Sequence, residues 1–198
     1  MDNFTLFLQI GISHILQGYD HILFLTGLII VTKNIRSILK IASAFTITHS
    51  TTLILSALGI LSINPFITEA LIAFSIAYVG IENLFIWKSN KPSGGKNSDK
   101  SYRWIVAGSF GFIHGAGFSG HLTELLKSML GMGNIWSPLT GFNIGIELGQ
   151  LTVIAAVYPL ILLMRHYGKE ALLVPEICRV IAAIGGVLLV FRIFGMNP

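Results

Sequence analysis

The stretch GISHILQGYDHILFLTGLII, residues 11–30, decides the fold, because it sets ionisable groups inside an apolar run of membrane length. Apart from His14, Asp20 and His21 its strongly polar content is slight, and the apolar character extends over about residues 5–31. A bilayer crossing needs about 20 residues at about 1.5 Å of rise each, so the run suffices. It is far longer than the roughly 7–15-residue apolar core of a cleaved leader, and a retained membrane helix is expected. An ionisable side chain at bilayer depth is expensive, and by default it marks a functional position.

Outside this stretch the composition tells the same story. The 198-residue chain is 53% hydrophobic and only 11% charged, with a mean hydropathy of +0.75. A soluble domain carries roughly 25% charged residues, so the outer surface here is expected to face lipid. Further apolar runs lie at about 40–61, 66–87, 104–126, 139–164 and 176–195. The expected fold is all-α, a polytopic membrane protein with six transmembrane helices forming a single domain over 1–198. Pro65 falls near the start of the third helix, where proline is tolerated. The fourth run holds Gly108, Gly111, Gly115, Gly117 and Gly120, and a kink or break is expected there.

The net charge of +4 and the pI near 9.3 do not indicate nucleic acid. The basic residues form no clustered face; they sit in short stretches between apolar runs, as topology signals do. Lys33, Arg36 and Lys40 mark the first loop, the polar segment KSNKPSGGKNSDKSYR (88–103) the third, and Arg165 and Lys169 the fifth. The second loop has no basic residue and the fourth only Lys127. Loops one, three and five are therefore expected in the cytoplasm, with both termini outside. Cys178, the single cysteine, excludes an intrachain disulfide and a thiolate cluster and reads as structural.

GISHILQGYDH (11–21) and GFIHGAGFSGH (111–121) share Gly, His and His at one spacing. They open the first and fourth helices, so halves 1–87 and 104–198 would each hold three spans. Three per half gives inverted topology, a transporter design with its site near the midplane.

The polar residues gather on particular faces. His14 and His21, seven apart, share one face of a helix with Gly11 and Gly18. Asp20 is a direct ligand or the acceptor of a histidine ring N–H. His49 with Ser50, then Ser75, Tyr78 and Glu82, then His114 and His121, then Asn143, Glu147 and Gln150 follow on the next four helices. Imidazole with carboxylate suits borderline ions such as nickel, cobalt, zinc and ferrous iron. The motifs lack the sulfur that cuprous ion favours, and nearly all-oxygen sites would be expected for magnesium or calcium.

Singly, these residues have ordinary explanations. One membrane histidine can bond a neighbouring helix, and the serines and threonines can bond their own backbone. Asn143 and Gln150 can act as interhelical glue, and Glu82 can lie close enough to the cytoplasm to be solvated. His166 reads as surface; Glu69 and Glu124 read as interfacial residues or an approach funnel. Five histidines with two or three acids are hard to explain as glue.

HILQGYDH, a histidine followed after five residues by Asp-His, resembles the signature of the HupE/UreJ family of bacterial membrane proteins. FTITHSTTL, YVGIENL, FGFIHGAGFS and FNIGIELGQL look like its remaining blocks, so the resemblance covers about residues 10–155. It implies a nickel or cobalt permease of the bacterial inner membrane, and it alone selects nickel among the borderline ions. His14, Asp20 and His21 match the first motif. The second motif keeps His114 and Gly115, with Phe118 where a second histidine is expected and His121 where a glutamate is, so the resemblance is to a divergent branch.

The leading expectation is thus a secondary permease for nickel, cobalt or zinc, with His14, Asp20, His21, His49, His114, His121 and Glu147 as ligands. Tyr78, Glu82, Ser50, Asn143 and Gln150 are expected in support. Its partners are the bilayer and the ion, with no nucleic acid and with a homo-oligomer compatible. The alternatives are an intramembrane zinc hydrolase using Glu82 or Glu147 as base, or a metal-holding membrane partner protein.

Overall fold

A computed structural model describes residues 2–89, 102–130 and 135–195; the side chains of Ser89, His121 and residues 127–130 lie outside the described set. Most of the 88–103 loop also lies outside the described residues, and so does its expected cytoplasmic position. Among the described residues all regular structure is helical: α1 (Asn3–Gln17), α2 (Tyr19–Ile30), α3 (Ile35–Ala57), α4 (Pro65–Ser89), α5 (Arg103–Leu130), α6 (Trp136–His166) and α7 (Glu170–Ile193).

The first apolar run is not one helix, as its hydropathy suggested. Gly18 ends α1 by donating to His14 O at 3.1 Å, and its own carbonyl accepts from Ile22 N to start α2. A Cβ at this position would sit 2.7 Å from His21 Nδ1 and 2.9 Å from Asp20 Oδ1. Only glycine lets the two helix ends approach so closely. Helices α3, α4, α6 and α7 are long and apolar enough to cross a bilayer, whereas α2 is apolar but only 12 residues long. With 28 residues α5 has the length, but its glycines, histidines and hydroxyl residues dilute its hydropathy. Among the described residues four helices, rather than six, are clear candidates for crossing.

Small residues set the packing. Gly141, Gly145 and Gly149 recur every four residues on α6 and bring it against the backbone of Phe4, Leu8 and Ile12 on α1. The contacts advance together, so α1 and α6 run parallel. On α5, Gly108, Gly111 and Gly115 lie against Ala44, Phe45 and His49 of α3, again in parallel. Gly80 meets Ala182 and Gly185 meets Ala77, so α4 and α7 are antiparallel. Backbones that touch in this way gain dispersion contact without large side chains, as membrane helices commonly do.

Polarity is reversed relative to a soluble protein. Ile47, Phe85, Leu172 and Phe194 are more than half exposed, while His49, Ser75 and Asn83 are fully buried. Arg103 is buried as well, although it reads from the sequence as the last residue of an aqueous loop. Its guanidinium donates to Asn83 Oδ1 at 2.9 Å and to the Gly27 and Leu28 carbonyls at 3.3 and 3.2 Å. Asn83 Nδ2 donates to Gly27 O at 2.7 Å. These carbonyls belong to the last turn of α2, which has no partner for them within the helix. The clasp ties α2, α4 and α5 together at one end.

Candidate metal centre

Four helices deliver four imidazoles to one interior region. The Gly18 break turns His14 from the end of α1 and His21 from the start of α2 toward each other, with ring centroids 4.6 Å apart. His49 of α3 stands 5.9 Å from His14 and 5.8 Å from His21, and His114 of α5 stands 5.1 Å from His21. His14, His21 and His49 each offer a ring nitrogen within 4.8 Å of the other two. Metal–nitrogen bonds of about 2.0–2.1 Å would set such atoms about 3.3 Å apart in a tetrahedron. Small ring rotations separate the two arrangements.

The bonds outside the cluster fix which ring nitrogens face it. Asp20 Oδ1 lies 2.9 Å from His21 Nδ1 and also accepts from the His21 backbone N–H at 2.8 Å. A carboxylate only accepts, so Nδ1 carries the proton and the Nε2 lone pair is left for the interior. Ser75 Oγ donates its single proton to Ile72 O at 2.7 Å. It must therefore accept from His114 Nε2, 2.9 Å away, which leaves the lone pair of His114 on Nδ1.

Among the described residues, His21 Nε2, His114 Nδ1 and both nitrogens of His49 are buried without a hydrogen-bond partner. Leaving such a group unsatisfied costs about 1–3 kcal/mol, so their convergence calls for a ligand. The walls are aromatic. Phe118 lies 4.1 Å from the His14 ring and stacks on Phe142, with planes only 1° apart. Phe45 packs against His49 and His114, and Phe24 against His114. A dry, nitrogen-rich centre of this kind suits a borderline divalent cation.

Other expected site residues stand apart from the three-histidine group. Asp20 orients His21, and Glu147 is half-buried on α6 outside the group. Glu82 stands in another network, where its carboxylate accepts from Tyr102 Oη at 2.8 Å and pairs with Arg103 at 3.4 Å. Burial, with the Glu82 bond, pushes the Tyr102 phenol up to about 12. Tyr78 is 37% exposed and packs on Phe74 and Phe110. Asn143 donates to Leu139 O on its own helix, and Gln150 meets Thr46 of α3 at 3.1 Å. Ser50 is half-buried beside His49, and the side chain of His121 lies outside the described residues. Sequence reasoning took Arg103 only as a basic loop residue, and it placed Ser75 on a polar stripe without seeing that this residue anchors His114.

The fold and site define a class: an all-helical protein with membrane-type helices around a buried histidine centre. The family model described as HupE / UreJ protein matches residues 1–195, so the chain belongs to the HupE/UreJ family. That membership points to a membrane protein concerned with metal transport. No curated protein and no solved structure matches the chain.

Proposed function

We propose that the protein is a permease of the bacterial inner membrane that carries a divalent transition-metal ion, nickel or cobalt first, through the centre formed by His14, His21, His49 and His114. The observation that carries this reading is that His21 Nε2, His114 Nδ1 and both nitrogens of His49 are buried in one region with no hydrogen-bond partner among the described residues. The ion exchanges its hydration shell for imidazoles supplied by separate helices. Binding must be favourable yet escapable, and ligands on separately moving helices allow that. A dication moving inward gains about 4.6 kcal/mol per 100 mV of inside-negative potential. Family membership favours transport over catalysis, and a hydrolase would lose Glu82 as its base to Tyr102 and Arg103.

In this reading α1 and α2 together make one broken crossing of six, within a single domain that has both termini outside. Helix direction supports the count, since parallel α1 and α6, parallel α3 and α5, and antiparallel α4 and α7 are what six alternating crossings require. An inverted repeat gains support too. A two-fold relating α1, α3 and α4 to α5, α6 and α7 exchanges the α1–α6 seam with the α5–α3 seam and returns α4–α7 to itself. Correspondingly, Gly11 abuts the Phe142 carbonyl as Gly111 abuts that of Phe45.

Uptake of nickel and cobalt into proteoliposomes under an inside-negative potential tests the reading, with His49→Ala and His114→Ala as controls. Saturable uptake is expected, lost in both variants. Stoichiometric metal binding without uptake would overturn the permease reading and leave a metal-holding protein.

A further inference from the structure

One cleft at the protein's edge is lined by Asp20, the residue that holds His21 of this centre. This narrow cleft of about 40 Å³ runs between α2, α4 and α7, lined by Asp20, Glu69, Ile72, Ile76 and Arg192 among others. It has room for a few waters. From Glu69 to Ile76 it follows α4 for two turns, about 10 Å. Glu69 is one turn from the α4 N-terminus and 47% exposed, and it pairs with Arg192 near the far end of α7 at 2.9 Å. Asp20, partly exposed on the same cleft, holds His21 through its Oδ1. A carboxylate at the mouth, an arginine resting on it, and a second carboxylate bonded to a centre histidine form a graded path for a cation.

We infer that this cleft is the outer portal of the permease, that Glu69 is the first protein ligand of the incoming divalent cation, and that Arg192 is the resident counter-charge the ion displaces. The inference rests on the permease reading above. Glu69 is neutralised while no ion is present, so the carboxylate is not left uncompensated beside apolar helices. A dication competes for it more strongly than the single guanidinium charge does. Once the ion has passed inward to Asp20, Arg192 returns to Glu69. Between these carboxylates the α4 side of the cleft is apolar, with Ile72, Ala73 and Ile76, which favours passage over retention.

The test is nickel uptake by proteoliposomes with Glu69→Gln, Arg192→Gln and the double variant, resolved into half-saturating concentration and maximal rate. Removing a partly exposed carboxylate is expected to raise the half-saturating concentration by roughly five- to tenfold at a similar maximal rate. Arg192→Gln is expected to lower it, and the double variant to behave like Glu69→Gln. A pair that merely fastened α4 to α7 would move both single variants in the same direction, chiefly in maximal rate and thermal stability. That result, or unchanged uptake, overturns the portal and leaves the permease standing. Absence of uptake by the unaltered protein removes both.

Discussion

At the residue scale, proton placement prepares the histidines for an ion. Asp20 keeps the proton of His21 on Nδ1 and strengthens the Nε2 lone pair by its charge. Asp20→Asn preserves shape but loses that charge, so metal affinity is expected to fall about 10–100-fold while helical content is unchanged. Calorimetric titration with nickel beside circular dichroism checks this, and an unaltered affinity would remove Asp20 from the centre. Ser75 does comparable work for His114 through a neutral bond. In Ser75→Ala the Nε2–H is buried with no acceptor, a loss of about 1–3 kcal/mol. The metal-free variant is expected to melt several degrees lower in detergent, a shift that a thermal scan reads directly. Of this arrangement the sequence disclosed residue types and helix faces. It did not disclose tautomers, because Ile72 O, which takes the serine proton, is a backbone group that no motif marks.

At the element scale, hydropathy located the helices but not the break in the first. Gly18 looks like Gly11, since both are glycines on one helix face; only the nearness of His21 and Asp20 makes Gly18 an interruption and Gly11 a packing contact. The polar stripe Ser75, Tyr78, Glu82 was legible as one face, and it forms one seam against α5. Ser75 meets His114, Tyr78 meets Phe110 and Glu82 meets Arg103, so a single stripe crosses three environments. Its function could not be read along its length because the partner helix changes character, from histidine to aromatic to arginine. Arg103 was read as a topology signal since basic loop residues usually are; its burial depends on α2 carbonyls far away in sequence. Seam contacts also predict which glycines matter. A Cβ on Gly145 would come within 2.2 Å of Leu8 O, while among the described residues nothing lies within 4 Å of one on Gly186. Gly145→Ala is expected to destabilise by about 1–3 kcal/mol through forced separation of α1 and α6. Gly186→Ala should lie within about 0.5 kcal/mol of the parent. Thermal unfolding of both variants in one detergent decides it, and equal behaviour would mean the α1–α6 seam is not tightly packed.

At the scale of the whole molecule, the proposed inverted repeat turns one asymmetry into a prediction about motion. Residues 11–21 and 111–121 correspond, so Gly18 has Phe118 as its counterpart. The chain is broken at Gly18 and helical through Phe118, whose ring packs on His14 and stacks on Phe142. In inverted-repeat carriers the two access states arise when the halves exchange conformations around a fixed site. The opposite state of this protein should then bend α5 near Phe118, a position flanked by Gly117 and Gly120, and straighten the chain at Gly18. Spin labels at Ile105 and Glu124, separated by about 28 Å along a straight helix, report the first change. Labels at Gln9 and Lys33 report the second, with Cys178 replaced by serine to clear the background. On adding nickel, a population with a shorter Ile105–Glu124 distance is expected to grow as one with a longer Gln9–Lys33 distance grows. A ligand shifts only the states it distinguishes, so the two populations should rise together along one titration. Changes in one pair without the other would mean the halves do not exchange roles, and the ion would then cross by local rearrangement of the histidines. A sufficient variant accompanies the measurement: Phe118→Gly removes the stacked ring and frees the backbone at once. It is expected to shift the Ile105–Glu124 distance toward the bent population before any nickel is added.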